Sequence, residues 1–597
     1  MDSHALHTFH IPVMGLAFTI DSPIRVAHLG ISSVISIMDD DLIEKIRAFY
    51  AGKFGFDHDS IPTSQPDYRA NRITAYLNMV QKIVELRHRE FKAALISNDG
   101  ALGDFAAILP KKSAFRLQLE RFLAAGKEMK EALAAYLENH LIPGSIDVNI
   151  MTKVDRENRD SQGLLPMMFN DAHAALRGFA SSKLSSSVVL SAGMHPRLYS
   201  YMEQFADFFP DSDFHLKKKI TIKVSDYRSA QVQGCFLAKK GLWVSEFRIE
   251  SGLNCGGHAF ATDGQLLGPI LEEFKTKRES LRLMMHELLV KSLAEKNLSV
   301  PSMPFELRIA VQGGVGTNAE HEFLLQHYNV DSVGWGSPFL LVPEATSVDR
   351  ETLQLLADAR EEDLYTSDIS PLGVPFNTVR GTTHETLRQS RAQSGKPGSS
   401  CPKKYLALSK EYDEEGICTA SRKYQKRKLA EIGADPQLDE RSREAARSGV
   451  LEKSCLCVGL SNSALLENGI GIKGDRSVVI CPGPNIAYFD REYSLTEMAA
   501  HIYGGKSVLE DIARPHMFVK ELGLYANYLR KQARLQGSAP ATAKMRRNLL
   551  EGVAYYRQIF AESTMFDRSS DASIEGLEAI AESIKSVECE PVAETAP

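Results

Sequence analysis

Two hydrophobic rhythms alternate along this chain. Residues 10–20 (HIPVMGLAFTI) are a short apolar run rich in strand formers. Residues 22–30 (SPIRVAHLG) read as a helical stretch ended by Gly30, and residues 32–38 (SSVISIM) as a second strand. The period then lengthens. Between residues 39 and 144 the segments IRAFYAGKF, ITAYLNMVQKIVELRHREFKAAL and FRLQLERFLAAGKEMKEALAAYLENHL carry apolar residues at helical spacing. They predict a helical insertion, closed by Pro143-Gly144. Short β segments resume at SIDVNIM, SSVVLSAG, KKITIKVSD, VSEFRIES, ELRIAVQGG and DSVGWGSPFL, most of them separated by helical stretches. Two strands before the insertion and six after it make the eight β/α units of an α/β (β/α)8 TIM barrel. An open doubly wound sheet is the competing fold.

Beyond residue 345 the alternation is lost. Residues 365–402 are rich in Gly, Pro, Ser and Thr and predict a long ordered loop or linker. Ser494-Leu-Thr-Glu497 is a capping-box pattern that opens a helix. Two more helices follow, in VKELGLYANYLRKQARL and KMRRNLLEGVAYYRQIFAE, and the last thirty residues are acidic and small, as a mobile tail would be. The resulting division is 1–38, first barrel strands; 39–144, helical insertion; 145–345, remainder of the barrel; 346–490, a Cys-containing, loop-rich region; and 491–597, a mainly helical C-terminal region with an acidic tail.

Composition narrows the partners. A chain of 597 residues with 43% hydrophobic and 24% charged residues has the make-up of a soluble globular protein with additions to one large core. A net charge of -6 without a basic stripe argues against nucleic acid. No apolar run approaches the roughly 20 residues that span a bilayer, so no membrane partner is expected. The first twenty residues lack Lys and Arg, which argues against a signal peptide, and the eight cysteines are too sparse for a disulfide scaffold. A cytoplasmic protein with a small-molecule substrate is the expectation; homo-oligomerisation is compatible with the sequence.

In a TIM barrel the chemistry lies at the C-terminal ends of the strands. Gly313, Gly314 and Gly316 follow the seventh predicted strand, and Gly336 and Ser337 close the eighth. Glycines let backbone approach an anion closely, and a following helix turns its N-terminus toward it. The plainer reading is that these glycines only serve tight turns. After the sixth strand, Gly256-Gly257-His258 puts an imidazole just past a turn. An unperturbed pKa of about 6.5 suits it to move protons at neutral pH.

These segments carry a resemblance. IAVQGGVGTNAEHEFLLQHYNVDSVGWGSPFLLVPEA, SGLNCGGHAF and ITIKVSDYRSAQVQGCFLAKKGL resemble, in order, parts of the barrel of nitronate monooxygenases (2-nitropropane dioxygenase-like proteins) and related flavin-dependent enoyl reductases. The likeness covers residues 11–38 and 145–345. It implies FMN, with its phosphate on Gly313, Gly314, Gly316, Gly336 and Ser337. It implies that Gly256 and Gly257 lie beside the cofactor and that His258 is the proton-transfer residue. Where the family usually has Gln, Glu and Thr, this chain has Ser251, Asn254 and Ser337.

Lys223, on a predicted barrel strand, needs an anionic partner. Reduced flavin is one; Asp226 or Glu250 is the other. Asn149 could hydrogen-bond cofactor or substrate, or satisfy neighbouring backbone. Lys217-Lys-Lys219 reads as a solvated charge run. Cys401, Cys418, Cys455, Cys457 and Cys481 sit partly beside prolines in loop-like settings, and could hold zinc or an iron–sulfur cluster; no CxxC pair supports this, and buried inert thiols are the alternative. The function expected is FMN-dependent oxidoreduction of a small organic substrate. The competing readings are a barrel that binds a phosphorylated substrate, as an isomerase, lyase or dehydrogenase, and a non-catalytic scaffold.

Overall fold

The computed structural model describes residues 5–510, 512–536, 540–562 and 569–587. Eight strands close into a barrel: β1 (Phe9–Ile11), β2 (Ser32–Ser36), β3 (Ile146–Ile150), β4 (Ser186–Leu190), β5 (Lys218–Val224), β6 (Val244–Glu250), β7 (Arg308–Gln312) and β8 (Ser332–Gly334). Each pairs in parallel with its neighbours in the order β1-β8-β7-β6-β5-β4-β3-β2. The fold is therefore the α/β TIM barrel and not an open sheet. β1 is far shorter than its apolar run because Pro12 has no N–H for the ladder, and the backbone turns through Gly15 at φ +53°.

The insertion between β2 and β3 holds the helices Asp40–Phe54, Tyr68–Ser97, Asp99–Ala107, Ala114–Ala125 and Lys130–His140. Asp39 caps the first of them by accepting from Leu42 N. Leu102, Phe105, Leu119, Phe122 and Leu137 form a core of their own, apart from that of the barrel. Gly144 closes the insertion where only a glycine fits: a β-carbon there would stand 2.1 Å from the Ile31 carbonyl oxygen.

The C-terminal third is more ordered than its composition suggests. The stretch expected as a loop contains the hairpin Leu364–Ser367/Phe376–Val379 and the helix Thr383–Gln393. Three helices, Arg422–Ala434, Glu440–Glu452 and Leu456–Glu467, occupy the region expected to be loop-rich. The capping box at Ser494 and Glu497 is formed, with both reciprocal hydrogen bonds. Part of the expected tail is the helix Ser569–Lys585, which buries Leu577, Ala581 and Ile584 at helical spacing; residues 588–597 lie outside the described residues. Among the described residues, no helix is long and apolar enough to cross a membrane.

The barrel interior is polar. Arg248 forks onto Glu246 through Nε (2.9 Å) and Nη2 (2.6 Å), with Asp147 Oδ2 3.9 Å away. His10 reaches Ser332 Oγ at 2.8 Å. Buried charges persist only when paired and hydrogen-bonded, and these are. Lys218 is a correction to the charge-run reading. It is 1% exposed, with Nζ donating to the carbonyls of Ser182 and Leu184 and to Ser182 Oγ. Burial, then the neighbouring Lys217 charge, lowers its pKa to about 7.

Candidate functional site

The polar interior rises to the barrel mouth, where strand ends bring side chains from distant sequence together. Lys223 at the end of β5 donates to Glu250 Oε1 at the end of β6 (3.2 Å), and Gln312 Nε2 at the end of β7 donates to the same oxygen (2.6 Å). Lys223 thus takes the Glu250 partner foreseen for it; Asp226 instead caps the helix Tyr227–Ala238. Gln312 Oε1 faces His10, which hydrogen-bonds Gln312, whereas Asn149 Oδ1, at the end of β3, is buried with no hydrogen-bond partner among the described residues. A buried orphan acceptor at a strand end is a place for a ligand donor.

His258 lies on the loop after β6. Its Nε2 shares a hydrogen bond with Ser370 Oγ at 2.7 Å, and its ring packs edge-on to Phe376 at 5.0 Å between centroids. The hairpin in the stretch expected as a linker is what holds it. Asn377 N donates to Gly257 O, Ala259 N donates to Pro375 O, and His258 and Phe376 form an antiparallel bridge. Burial, followed by the Lys153 and Lys223 charges, lowers the His258 pKa to about 4, so the imidazole is neutral at physiological pH.

The glycine loop after β7 is packed against protein on one side. Gly313 and Gly314 have φ of +117° and +90°, conformations that favour glycine. A β-carbon would stand 2.7 Å from Cys255 Sγ at Gly313 and 2.0 Å from Asn254 Nδ2 at Gly314. Gly316 N donates to Glu320 Oε2, and Arg514 pairs with Glu320 Oε1 at 2.7 Å. The amide that the sequence offers to a phosphate is therefore spent on an internal carboxylate. Ser337 Oγ accepts from Gly483 N (2.7 Å), and Gly257 N donates to Cys481 O (3.1 Å). Gly256 packs against the same carbonyl. Gly336 keeps more space: a β-carbon there would stand 3.4 Å from Pro12 Cγ and 4.0 Å from Met14 Sδ.

The C-terminal region covers these loops, and the sequence reading did not foresee it. Asn485 Nδ2 donates to Val315 O, Arg514 bonds Asn485 and Gly314 O, and His501 Nε2 meets Gly316 O at 2.8 Å. Glu521 takes Ser251 Oγ at 2.5 Å on one oxygen and Leu267 N at 2.9 Å on the other. The three positions that depart from the resembled family all touch this cover: Ser251 on Glu521, Asn254 Nδ2 on Met517 O, and Ser337 on Gly483. Thr317-Asn-Ala-Glu320 is a capping-box spacing that could have disclosed Glu320's place at a helix start, but nothing local discloses Arg514.

Among the described residues, no three of the five cysteines bring their sulfurs within 4.8 Å of one another. Cys401, Cys418, Cys455 and Cys457 lie in one region, close enough to influence one another's thiols, whereas Cys481 lies under Gly257. Among the described residues, the group of ligand atoms within 4.8 Å of one another is Asp211, Asp213 and His215, all exposed.

A cavity of about 540 Å3 opens on the same rim, beyond the ends of β3 and β4, lined in part by Asp155, Arg156, Met194, His195, Leu408 and Lys410. Asp155 Oδ1 caps the helix Asp171–Ala180, and its Oδ2 lies 2.8 Å from His173 Nδ1 and 3.4 Å from His195 Nε2. Burial raises its pKa, but the two histidine hydrogen bonds outweigh this and hold the carboxyl well below the usual range.

The fold and mouth define the chain as a TIM-barrel protein with a polar, covered C-terminal face. No family model and no curated protein matches it. Among solved structures, FabK from Thermotoga maritima aligns at a TM-score of 0.34 and 11% identity, covering 83% of this chain and 93% of that one. The enoyl reductase domain of MlnA from the macrolactin biosynthesis cluster of Bacillus amyloliquefaciens aligns at 0.33 and 12%, covering 63% and 85%.

Proposed function

We propose that this chain is an FMN-dependent oxidoreductase of the nitronate monooxygenase-like kind, acting on a small organic substrate at the barrel mouth. The observation that carries the reading is the assembly of Lys223, Glu250, Gln312 and Asn149 at the strand ends, with the buried Asn149 acceptor unpartnered, beside a loop bearing a neutral histidine. The sequence resemblance supports the same reading.

The residues present fit a flavin at its ring end. Lys223 would balance charge on the reduced ring, and Asn149 offers a buried carbonyl acceptor for its N–H edge. Gly313, Gly314 and Gly336 would carry the phosphate; Gly316 and Ser337, engaged with protein, leave that set. A bound flavin supplies the two-electron acceptor or donor. His258 supplies the proton step. With Nε2 turned to Ser370, Nδ1 is the ring nitrogen left to take a proton, and a pKa of about 4 makes it a base rather than an acid at neutral pH. Gly483, Asn485, Arg514 and Glu521 of the C-terminal region pack onto the loops around it.

The test is titration of the purified chain with FMN, read by quenching of FMN fluorescence and by the protein-bound flavin spectrum. Stoichiometric binding is expected, weakened at least tenfold in Lys223→Ala. Absence of binding at excess FMN would overturn the reading.

A further inference from the structure

We propose that the cavity of about 540 Å3 beyond the ends of β3 and β4 is a binding site for a small aromatic carboxylate. None of Asn149, Lys223, Glu250, His258 and Gln312 lines it, so the site is independent of the flavin reading.

One residue of the wall points to a ligand directly. Asn170 is 8% exposed and lines the cavity, and its side-chain amide makes no hydrogen bond among the described residues. It stands at the N-cap of the helix Asp171–Ala180, where an asparagine ordinarily accepts from a backbone N–H of the first turn. Here Asp155 Oδ1 takes the N–H groups of Ala172 and His173 instead, which leaves the Asn170 amide to the cavity. A buried amide without a partner is costly, and a ligand hydroxyl, which both donates and accepts, satisfies it.

The charges of the wall select an anion. Asp155 is taken up by His173 and His195, and Glu415 lies 3.8 Å from Arg159. Arg156 is held by Asn158 Oδ1 at 2.6 Å and stands 3.5 Å from Asp171. Arg197, after β4, and Lys410, on the separate loop 407–416, are exposed and have no carboxylate partner among the described residues. Glu157 is the acid of the wall in the same state, so unpaired cations are in surplus. Two cations carried by different loops can take the two oxygens of one carboxylate.

The apolar part of the wall selects the body of the ligand. Met167, Met194 and Leu408 line the cavity with exposed side chains. Thioethers are flexible and polarisable and pack favourably against aromatic rings. The volume lies within the range of about 300–1,000 Å3 that holds small organic ligands. The buried position of Asn170 and the exposed positions of Arg197 and Lys410 orient the molecule. Its carboxylate faces the entrance, its ring lies against the methionines, and a ring hydroxyl reaches Asn170.

The experiment titrates the purified full chain, without added FMN, with 6-hydroxy-2-naphthoate by isothermal calorimetry. Saturable binding at one site per chain is expected. Replacing the acid by the uncharged 6-hydroxy-2-naphthamide should weaken binding at least tenfold, and so should the double variant Arg197→Met, Lys410→Met. Asn170→Ala should weaken the hydroxy acid at least fivefold and leave 2-naphthoate, which lacks the hydroxyl, unchanged. A purely structural asparagine would weaken both acids alike. The proposal is overturned by absence of saturable binding, by equal affinity for acid and amide, by full binding in the double variant, or by an Asn170→Ala effect that does not depend on the hydroxyl. A chain that takes up no FMN yet binds the acid in this pattern overturns the flavin reading alone and supports this site.

Discussion

At the scale of single residues, close packing and left-handed backbone can be separated. Gly314 combines φ +90° with a β-carbon position 2.0 Å from Asn254 Nδ2, whereas Gly257 has φ +76° and open space. Gly314→Ala should lose about 2–6 kcal/mol of stability, from strain plus overpacking of about 1–3 kcal/mol each. Gly257→Ala should lose only the strain. Urea denaturation of both variants checks this, and equal losses would remove the packing argument. His258→Ala should retain FMN and slow turnover by about 100-fold, the ordinary worth of a positioned base. On the proposed function, the wild-type rate should be level near neutrality and fall as pH drops through about 4, because the neutral imidazole would be the active form. A rate unmoved by the substitution would remove His258 from the reaction.

At the scale of elements, one helix fastens the loop that carries His258. Glu521 and Tyr525 stand one turn apart on the helix Met517–Gln536. Glu521 holds Ser251 and Leu267 at the two ends of the loop, while Tyr525 OH accepts from Thr262 N in its middle. Burial raises the Glu521 pKa to about 7, against the hydrogen bonds from Ser251, Leu267 and Tyr556. A carboxyl raised on folding stabilises fully below its unfolded value, and that contribution is lost as pH rises through about 7. The protection factors of residues 251–267, taken against the intrinsic base-catalysed exchange rate, should therefore fall on going from below to above neutral pH, and Glu521→Gln should remove that fall. A second element-scale case is Arg514 against Glu320, 5% and 2% exposed. Arg514→Met should cost about 3–5 kcal/mol by stranding a buried carboxylate, and adding Glu320→Gln should recover most of it. If denaturation shows the double variant no better than the single, the ion pair is not what the arginine provides.

At the scale of the whole molecule, burial of histidines sets the response to acid. His7, His28, His258, His321, His384 and His516 are lowered to between about 3 and about 4, with burial the largest cause in each. The unfolded chain binds protons at these sites near pH 6.5 and the folded chain does not, so stability is full above that value and falls as pH drops toward 4. The raised carboxyls of Glu521, Glu467 and Asp147 act in the opposite direction over part of the same range, but they are fewer than these histidines. The Tm should therefore decline steadily between about pH 6.5 and pH 4. A Tm that held level or rose over that interval would contradict the burial of these rings.

The sequence by itself determined the barrel. Alternating strand and helix periods are local properties, set by which neighbours along the chain share a face, and Gly30, Pro143-Gly144 and Ser494-x-x-Glu497 mark their ends within a few residues. The glycine loops and His258 were legible for the same reason, because each follows a strand. What covers them was not. Ser251 finds Glu521 across 270 residues and Glu320 finds Arg514 across 194, and no periodicity encodes such a choice of partner. Lys218 looks solvated among lysines, yet it is buried because the chain delivers the carbonyls of Ser182 and Leu184 to its ammonium group. Only the tertiary structure decided which glycine amides remain for an anion, because a backbone N–H satisfied by a distant side chain reads the same in sequence as one left free.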